Sequence, residues 1–211
     1  MKEAYFTPET MDEAVAALTA GLPDRPRGPA FDMSRAALLI LDMQRYFLDP
    51  GSHACVPSAP AIVPAIERLA KGFLEAGRPI IATRHVNTPE DAGMMGEWWG
   101  DLILPGTPMA ELDPRIEALA TEIILKPRYD AFHGSALPRV LRELGVRQLA
   151  IAGVMTHLCV ETTARAAFVR DFAVFVPADA TATYNREFHR GTLMNLSHGF
   201  ASVALLETDR P

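Results

Sequence analysis

Cys159 lies in the run Ala150-Ile151-Ala152-Gly153-Val154-Met155-Thr156-His157-Leu158-Cys159-Val160-Glu161. An apolar strand ends there, a small-residue turn follows, and a helix begins with a thiol near its first turn. A helix start presents unpaired N–H groups and the positive end of the helix dipole, which favour thiolate over thiol. Such a cysteine is a candidate nucleophile, although a buried Cys can also be no more than a small hydrophobe. Asp42 closes the apolar run Ala37-Leu38-Leu39-Ile40-Leu41. A carboxylate placed there is partly desolvated and costs free energy unless paired; the plainer reading is a turn or N-cap aspartate. Lys126 closes Ile123-Ile124-Leu125 and precedes Pro127. Its plainer role is a strand-end lysine whose stem covers apolar surface. Together the three residues make a mechanism. Asp42 takes the thiol proton of Cys159 as general base, and Lys126 holds the carboxylate and stabilises the thiolate. Backbone N–H groups at Met155 and Cys159 are candidates to receive the oxyanion of a tetrahedral intermediate. The reaction class is acyl transfer through a thioester, followed by hydrolysis.

The elements that must position these residues alternate along the chain. Thr7-Pro8-Glu9 reads as a helix start, with Met11, Val15 and Leu18 at helical spacing and Gly21 as a stop. A Pro-rich stretch from Pro23 to Pro29 then reads as a linker. Residues 1–30 are therefore expected to be a helical arm and linker, and 31–211 one catalytic domain. Strands are expected at 36–41, 79–83, 122–125, 148–152, 173–176 and 202–206. Helices are expected at 60–76, 135–144, 159–170 and 187–197. The segment from His85 to about Arg115, rich in Gly, Pro and Trp, breaks the rhythm as site-covering loops do. Alternating strands and helices imply right-handed crossovers and an α/β fold, a three-layer α/β/α sandwich around a six-stranded, mostly parallel sheet. Ligands in such Rossmann-like sheets bind beyond the carboxyl ends of the strands, where Asp42, Lys126 and Cys159 all fall.

Composition narrows the function classes. The chain has 211 residues, 49% of them hydrophobic, and a formal net charge of −6. Dispersed Lys and Arg with a negative balance argue against nucleic acid as a partner. No apolar run approaches the roughly 20 residues of a membrane span. Met1-Lys2-Glu3-Ala4-Tyr5 lacks the apolar core of a signal peptide. Cys55 and Cys159 make no disulfide framework, so a reducing cytoplasm is the expected compartment. Cys55, in a Pro-rich stretch without a basic neighbour, is not expected to be catalytic.

Three segments carry a family resemblance: Asp42-Met43-Gln44, Lys126-Pro127-Arg128-Tyr129-Asp130-Ala131-Phe132, and Gly153-Val154-Met155-Thr156-His157-Leu158-Cys159-Val160. They resemble the signature segments of the isochorismatase-like hydrolases, a superfamily of nicotinamidases, N-carbamoylsarcosine amidases, ureidoacrylate and biuret amidohydrolases, and true isochorismatases. The resemblance spans roughly residues 34–207. It implies an Asp42-Lys126-Cys159 triad on a six-stranded parallel sheet. It also implies a cis peptide between Val154 and Met155, which would turn the Met155 N–H toward the oxyanion beside that of Cys159. The first motif, Asp42-Met43-Gln44-Arg45-Tyr46-Phe47, together with Trp99-Gly100, is also similar to the true isochorismatases, which cleave a vinyl ether using the matching Asp as acid and lack the cysteine. Cys159 favours C–N bond hydrolysis of a small amide, carbamoyl or ureido compound. Vinyl-ether hydrolysis and a non-enzymatic relative on the same fold are the alternatives.

The nicotinamidase branch adds a metal built on an Asp-x-His pattern after the second strand. Here His85 lacks the Asp two residues earlier, so no catalytic metal and no cofactor are expected. Expected substrate contacts are Gln44, Phe47, Trp98, Trp99, Tyr129 and Phe132. Arg84 could clamp a substrate carboxylate or form a surface ion pair. His157 is read as a turn or subunit-interface residue. The partners expected are a small-molecule substrate and a second copy of the chain, in a homodimer or homotetramer.

Overall fold

The computed structural model describes residues 1–23 and 28–203. An N-terminal helix α1 (Met11–Thr19) begins later than the Thr7-Pro8 signal suggests. Thr7 and Thr10 satisfy each other instead: the Thr7 N–H donates to Thr10 Oγ1 at 3.1 Å and the Thr10 N–H to Thr7 Oγ1 at 3.3 Å. That closes a turn before the helix starts. Gly21 follows the helix with φ +76°, a conformation that glycine reaches without Cβ strain.

The central sheet begins with β1 (Ala36–Leu41), which is buried at every position. Ala36, Leu38 and Ile40 enter one core, while Ala37, Leu39 and Leu41 enter the other, so a continuous apolar run is what this strand requires. The short α2 (Arg45–Leu48) follows. The long α3 (Ala59–Glu75) buries Ile62, Ile66, Leu69 and Phe73, an apolar stripe at helical spacing. β2 (Ile80–His85) leads into a long excursion that contains α4 (Met94–Trp99) and α5 (Pro114–Leu119). β3 (Glu122–Lys126), α6 (Leu137–Glu143) and β4 (Gln148–Val154) come next. After a π-helical turn at Thr156–Val160 the chain enters α7 (Glu161–Phe168). β5 (Ala173–Phe175), the two-residue β6 (Thr181–Ala182) and α8 (Arg186–Gly199) complete the described elements.

Strand order is β3-β2-β1-β4-β5, with β6 also paired to β4, and every strand pair is parallel. The side chains of α1 and α3 form the core against one face of the sheet, and those of α6 and α7 against the other. α8 spans the two cores at the rim, with Leu193 in the first and Leu196 in the second. The fold is thus the three-layer α/β/α sandwich with a six-stranded parallel sheet.

The identity of one strand differs from expectation. β6 is Thr181–Ala182, too short to be read from an apolar pattern. The expected strand at 202–206 falls partly outside the described residues. Within them, Ser202 forms a parallel bridge to Phe175. Among the described residues no helix is long and apolar enough to cross a membrane.

Candidate active site

β1 and β4 are neighbours at the centre of the sheet, and their carboxyl ends approach very closely. Gly153 has φ +103°, and a Cβ there would lie 2.1 Å from the Leu41 carbonyl oxygen. Only glycine fits this crossing. Just past it, Asp42 turns the chain with φ +52°, a left-handed conformation that Asp tolerates better than most residues. Its carboxylate is fully buried. Thr83 Oγ1, on the adjacent β2, donates to Asp42 Oδ1 at 2.6 Å, and the Asp42 N–H donates back to Thr83 Oγ1 at 3.2 Å.

Lys126 ends β3, the edge strand next to β2, and its ammonium is also fully buried. Nζ stands 2.7 Å from Asp42 Oδ2 and donates to Cys159 Sγ at 3.3 Å and to the Arg128 carbonyl at 2.9 Å. The cation therefore has three acceptors, as a buried ammonium requires. Burial alone would pull the Lys126 pKa down, but the Asp42 carboxylate and the hydrogen-bond acceptors Asp42 and Cys159 outweigh it and hold the pKa above its ordinary value. The ammonium stays charged.

Cys159 is reached through the turn after β4. The Val154–Met155 peptide is cis, and the Met155 carbonyl accepts from the N–H groups of Leu158 at 3.0 Å and Val160 at 3.2 Å. Cys159 is 4% exposed and lines a cavity, as does Met155. Expectation and structure differ over the protonation of this thiol. Burial pushes its pKa up to about 12; Lys126 lowers it and Asp42 raises it again. Desolvation outweighs the helix start, because the carboxylate beside the sulfur offsets much of what the ammonium offers. The resting side chain is a neutral thiol.

The cavity encloses about 530 Å³, its open mouth included. Phe47, Trp99 and Tyr129 line it, and the Trp99 Nε1–H donates to the Tyr129 hydroxyl at 2.5 Å. Ile103, Leu158 and Tyr184 add apolar wall, and among the described residues no Lys or Arg side chain contributes to the lining. At the mouth stands a polar cluster that sequence reasoning missed. Tyr46 Oη lies 2.6 Å from His53 Nε2 and donates to Asp101 Oδ2 at 3.0 Å, while His53 Nε2 is 2.9 Å from the same oxygen. His85 also faces the cavity. It is 6% exposed, its Nδ1 has no protein partner, and burial with the nearby Lys126 charge lowers its pKa to about 4, so the ring is neutral.

Four expected substrate contacts are placed elsewhere. Gln44 is buried with its amide fully used: Oε1 accepts from the His85 N–H at 2.7 Å, and Nε2 donates to the carbonyls of His85 and Ala110, each at 3.0 Å. It clamps the end of β2 to the excursion. Arg84 points to the opposite side of β2 from the cavity-lining His85 and pairs with Glu111 at 3.1 Å and Glu117 at 2.5 Å. Trp98 is 74% exposed on the outer side of α4. Phe132 is buried in the α6–α7 core against Phe172, with the Arg170 guanidinium over its ring. Of the histidines outside the cavity, His157 accepts or donates to Thr183 Oγ1 at 2.5 Å and stacks on Phe188, a turn-holding role.

The surroundings of His85 do not fit the metal of the Asp-x-His branch. Among the described residues no three His, Cys, Asp or Glu side chains gather around one point, and the residue two after His85 is Asn87, committed to Asp91 and the Pro127 carbonyl.

Comparison with known proteins places this geometry. The family model for the Isochorismatase domain matches residues 36–208. Nicotinamidase 3 of Arabidopsis thaliana is 43% identical over 171 residues, 79% of this chain and 82% of that protein. Enterobactin synthase component B of Escherichia coli is 33% identical over 208 residues, 97% of this chain and 70% of that protein. Among solved structures, a cysteine hydrolase from Pseudomonas syringae pv. phaseolicola superposes with a TM-score of 0.79 at 25% identity, covering 86% of this chain and 92% of that one.

Proposed function

Since the chain belongs to the isochorismatase family of hydrolases, we propose that it cleaves the C–N bond of a small, uncharged carboxamide, carbamoyl or ureido compound, with Cys159 as nucleophile, Asp42 as general base and Lys126 as electrostatic partner of both. The observation that carries this reading is the buried Lys126 ammonium, 2.7 Å from Asp42 and 3.3 Å from the Cys159 sulfur, beside a cavity into which that sulfur opens.

The mechanism follows from the protonation states. Cys159 rests as a thiol, so attack and deprotonation must coincide. The proton passes to Asp42 as the C–S bond forms. The substrate carbonyl oxygen becomes an oxyanion, received by the N–H groups of Met155 and Cys159. Asp42 then returns the proton to the leaving nitrogen as the C–N bond breaks, releasing ammonia or an amine. Water, deprotonated by the same carboxylate, attacks the thioester carbonyl; the C–S bond breaks and the thiol is restored as the acid is released. Lys126 stays protonated throughout and keeps one positive charge beside the migrating negative one. Thr83 keeps Asp42 Oδ1 occupied, which leaves Oδ2 as the oxygen that faces the ammonium. A reducing compartment keeps the sulfur free.

The similarity to enterobactin synthase component B favours a second reading, protonation of a vinyl ether by Asp42. Two features weigh against it. Cys159 is present, and the cavity offers no Arg or Lys to a substrate bearing two carboxylates. A release assay separates the two. Ammonia from nicotinamide, carbamoyl amino acids, ureides or biuret, lost in Cys159→Ala by at least about a thousandfold, supports the first. Pyruvate from isochorismate that survives Cys159→Ala but not Asp42→Asn overturns it.

A further inference from the structure

The cavity is asymmetric in charge. Its floor holds Cys159, and its walls are apolar and aromatic. Its mouth carries Tyr46, His53 and Asp101, joined through a single oxygen, Asp101 Oδ2. Three parts of the chain build this collar: α2 brings Tyr46, the loop after it His53, and the end of the α4 excursion Asp101. The Tyr46 hydroxyl and the His53 Nε2–H both aim at the carboxylate, and the Leu102 N–H donates to its other oxygen at 2.9 Å. Hydrogen bonds from Tyr46 and His53 outweigh its partial desolvation and hold its pKa below the ordinary carboxylate range. Asp101 therefore bears a fixed negative charge at the entrance. His53 Nε2 is committed to the cluster, and the side chain is 55% exposed, so its far ring edge is open to solvent.

Among the described residues no lysine or arginine lines the cavity; Lys2 stands at its rim, bonded to the His53 carbonyl and 4.5 Å above the ring of Tyr184. The nearest buried cation, Lys126, is already paired with Asp42 behind the sulfur. A substrate lying with its scissile carbonyl at Cys159 would extend its other end between Phe47, Trp99 and Tyr129 toward the collar. A negative group at that end meets the Asp101 carboxylate, which among the described residues is paired with His53 and with no Lys or Arg. A neutral or cationic group, or one with an N–H or O–H to donate, meets an acceptor.

We propose that Tyr46, His53 and Asp101 form a specificity collar that excludes substrates with a negative charge remote from the scissile bond, Asp101 being the discriminating residue. The proposal rests on the reading of Cys159 as the nucleophile only in assuming which end of the substrate enters first. Like charges at a half-exposed site are screened but not abolished, so the expected preference is about tenfold.

The test uses the full chain with Cys159→Ser, which removes the nucleophile, and measures binding of benzamide and 3-carboxybenzamide by calorimetry. The expected result is a benzamide preference of about tenfold that disappears when Asp101→Asn is added. Asp101→Glu, which keeps the charge, and Tyr46→Phe, which removes a hydrogen bond but not the charge, should retain the preference. A loss that tracked folding would weaken both probes together, so the ratio separates selectivity from damage. An Asp101→Asn ratio equal to that of the parent, or failure of benzamide to bind the parent, overturns the proposal. Failure of the amidase reading is distinguishable: it would appear as no ammonia release from any amide by the unaltered chain, while the binding ratio still responded to Asp101.

Discussion

Burial pushes the Cys159 thiol up to about 12, whereas an ordinary cysteine titrates near 9. In that interval the unfolded chain has given up a proton that the folded chain retains, so the unfolded state binds fewer protons and stability falls as pH rises from about 9 toward 12. Below about 9 both states hold the proton and the effect is absent. Cys159→Ser should therefore flatten the alkaline limb of a plot of unfolding free energy against pH while leaving the neutral region little changed in shape. An identical alkaline slope in the variant would mean that the sulfur is far less desolvated than its surroundings suggest. Each of Asp42, Lys126 and Cys159 alone had a plainer reading; their common position beyond the carboxyl ends of the strands singled them out together, and the three side chains do meet there. The state of the thiol was not legible. It depends on Asp42 being beside the sulfur as well as Lys126, and no spacing along the chain reports that balance. Of the two readings of Arg84, the ion pair is the one the structure shows, and the sequence held the reason. Alternation along β2 sends His85 and Arg84 to opposite faces, so the two cannot both reach the cavity.

At the scale of elements, the site depends on how closely β1 and β4 cross. The 2.1 Å that would separate a Cβ at position 153 from the Leu41 carbonyl oxygen cannot be relieved by a side-chain rotation, since both partners are backbone. Gly153→Ala should cost about 4 kcal/mol or more, roughly 10 °C in Tm for a chain of this size. It should also lower turnover more than stability alone explains, because Asp42 follows Leu41 directly. Thermal denaturation with kcat measured well below the transition would check this; a variant of normal Tm and activity would show that the crossing is looser than described. The first five strands and the main helices were legible from periodicity, as was the long interruption between β2 and β3. What that interruption contains was not. Trp98 and Trp99 are neighbours in sequence, but consecutive positions on a helix face different ways, so one lines the cavity and the other faces solvent. The Tyr46–His53–Asp101 cluster joins groups separated by 48 and 55 positions, through loops whose path no local rule dictates.

For the molecule as a whole, the N-terminal segment is tied into the body rather than laid on it. Tyr5 and Phe6 are buried, and their N–H groups donate to Ser58 Oγ at 3.0 and 3.1 Å. The Tyr5 hydroxyl meets His189 Nδ1 at 2.9 Å, and Thr181 Oγ1 meets the other ring nitrogen at 3.1 Å. Lys2 continues the tie toward the cavity, bonded to the His53 carbonyl and lying 4.5 Å above the ring of Tyr184. Burial lowers the His189 pKa to about 3, far under its unfolded value near 6.5. The unfolded chain thus takes up a proton that the folded chain refuses. The stability conferred by the neutral ring is present above about pH 6.5 and is lost as pH falls toward 3. His189→Gln, which keeps polar atoms in the pocket but cannot titrate, should weaken the fall in stability between pH 6 and 4, measured by urea unfolding at each pH. A variant whose stability falls as steeply as that of the parent would remove His189 from the acid response.

The strand that supplies Lys126 lies at the outer margin of the sheet, with Ile123 and Leu125 facing solvent. Margins are where sheets fray first. Here the margin is riveted to the middle by a charge that reaches past one whole strand to Asp42 and the sulfur. Peeling that margin away would part the ammonium from Asp42 and the sulfur in the same motion, so if the proposed mechanism holds, β3 cannot loosen locally without loss of turnover.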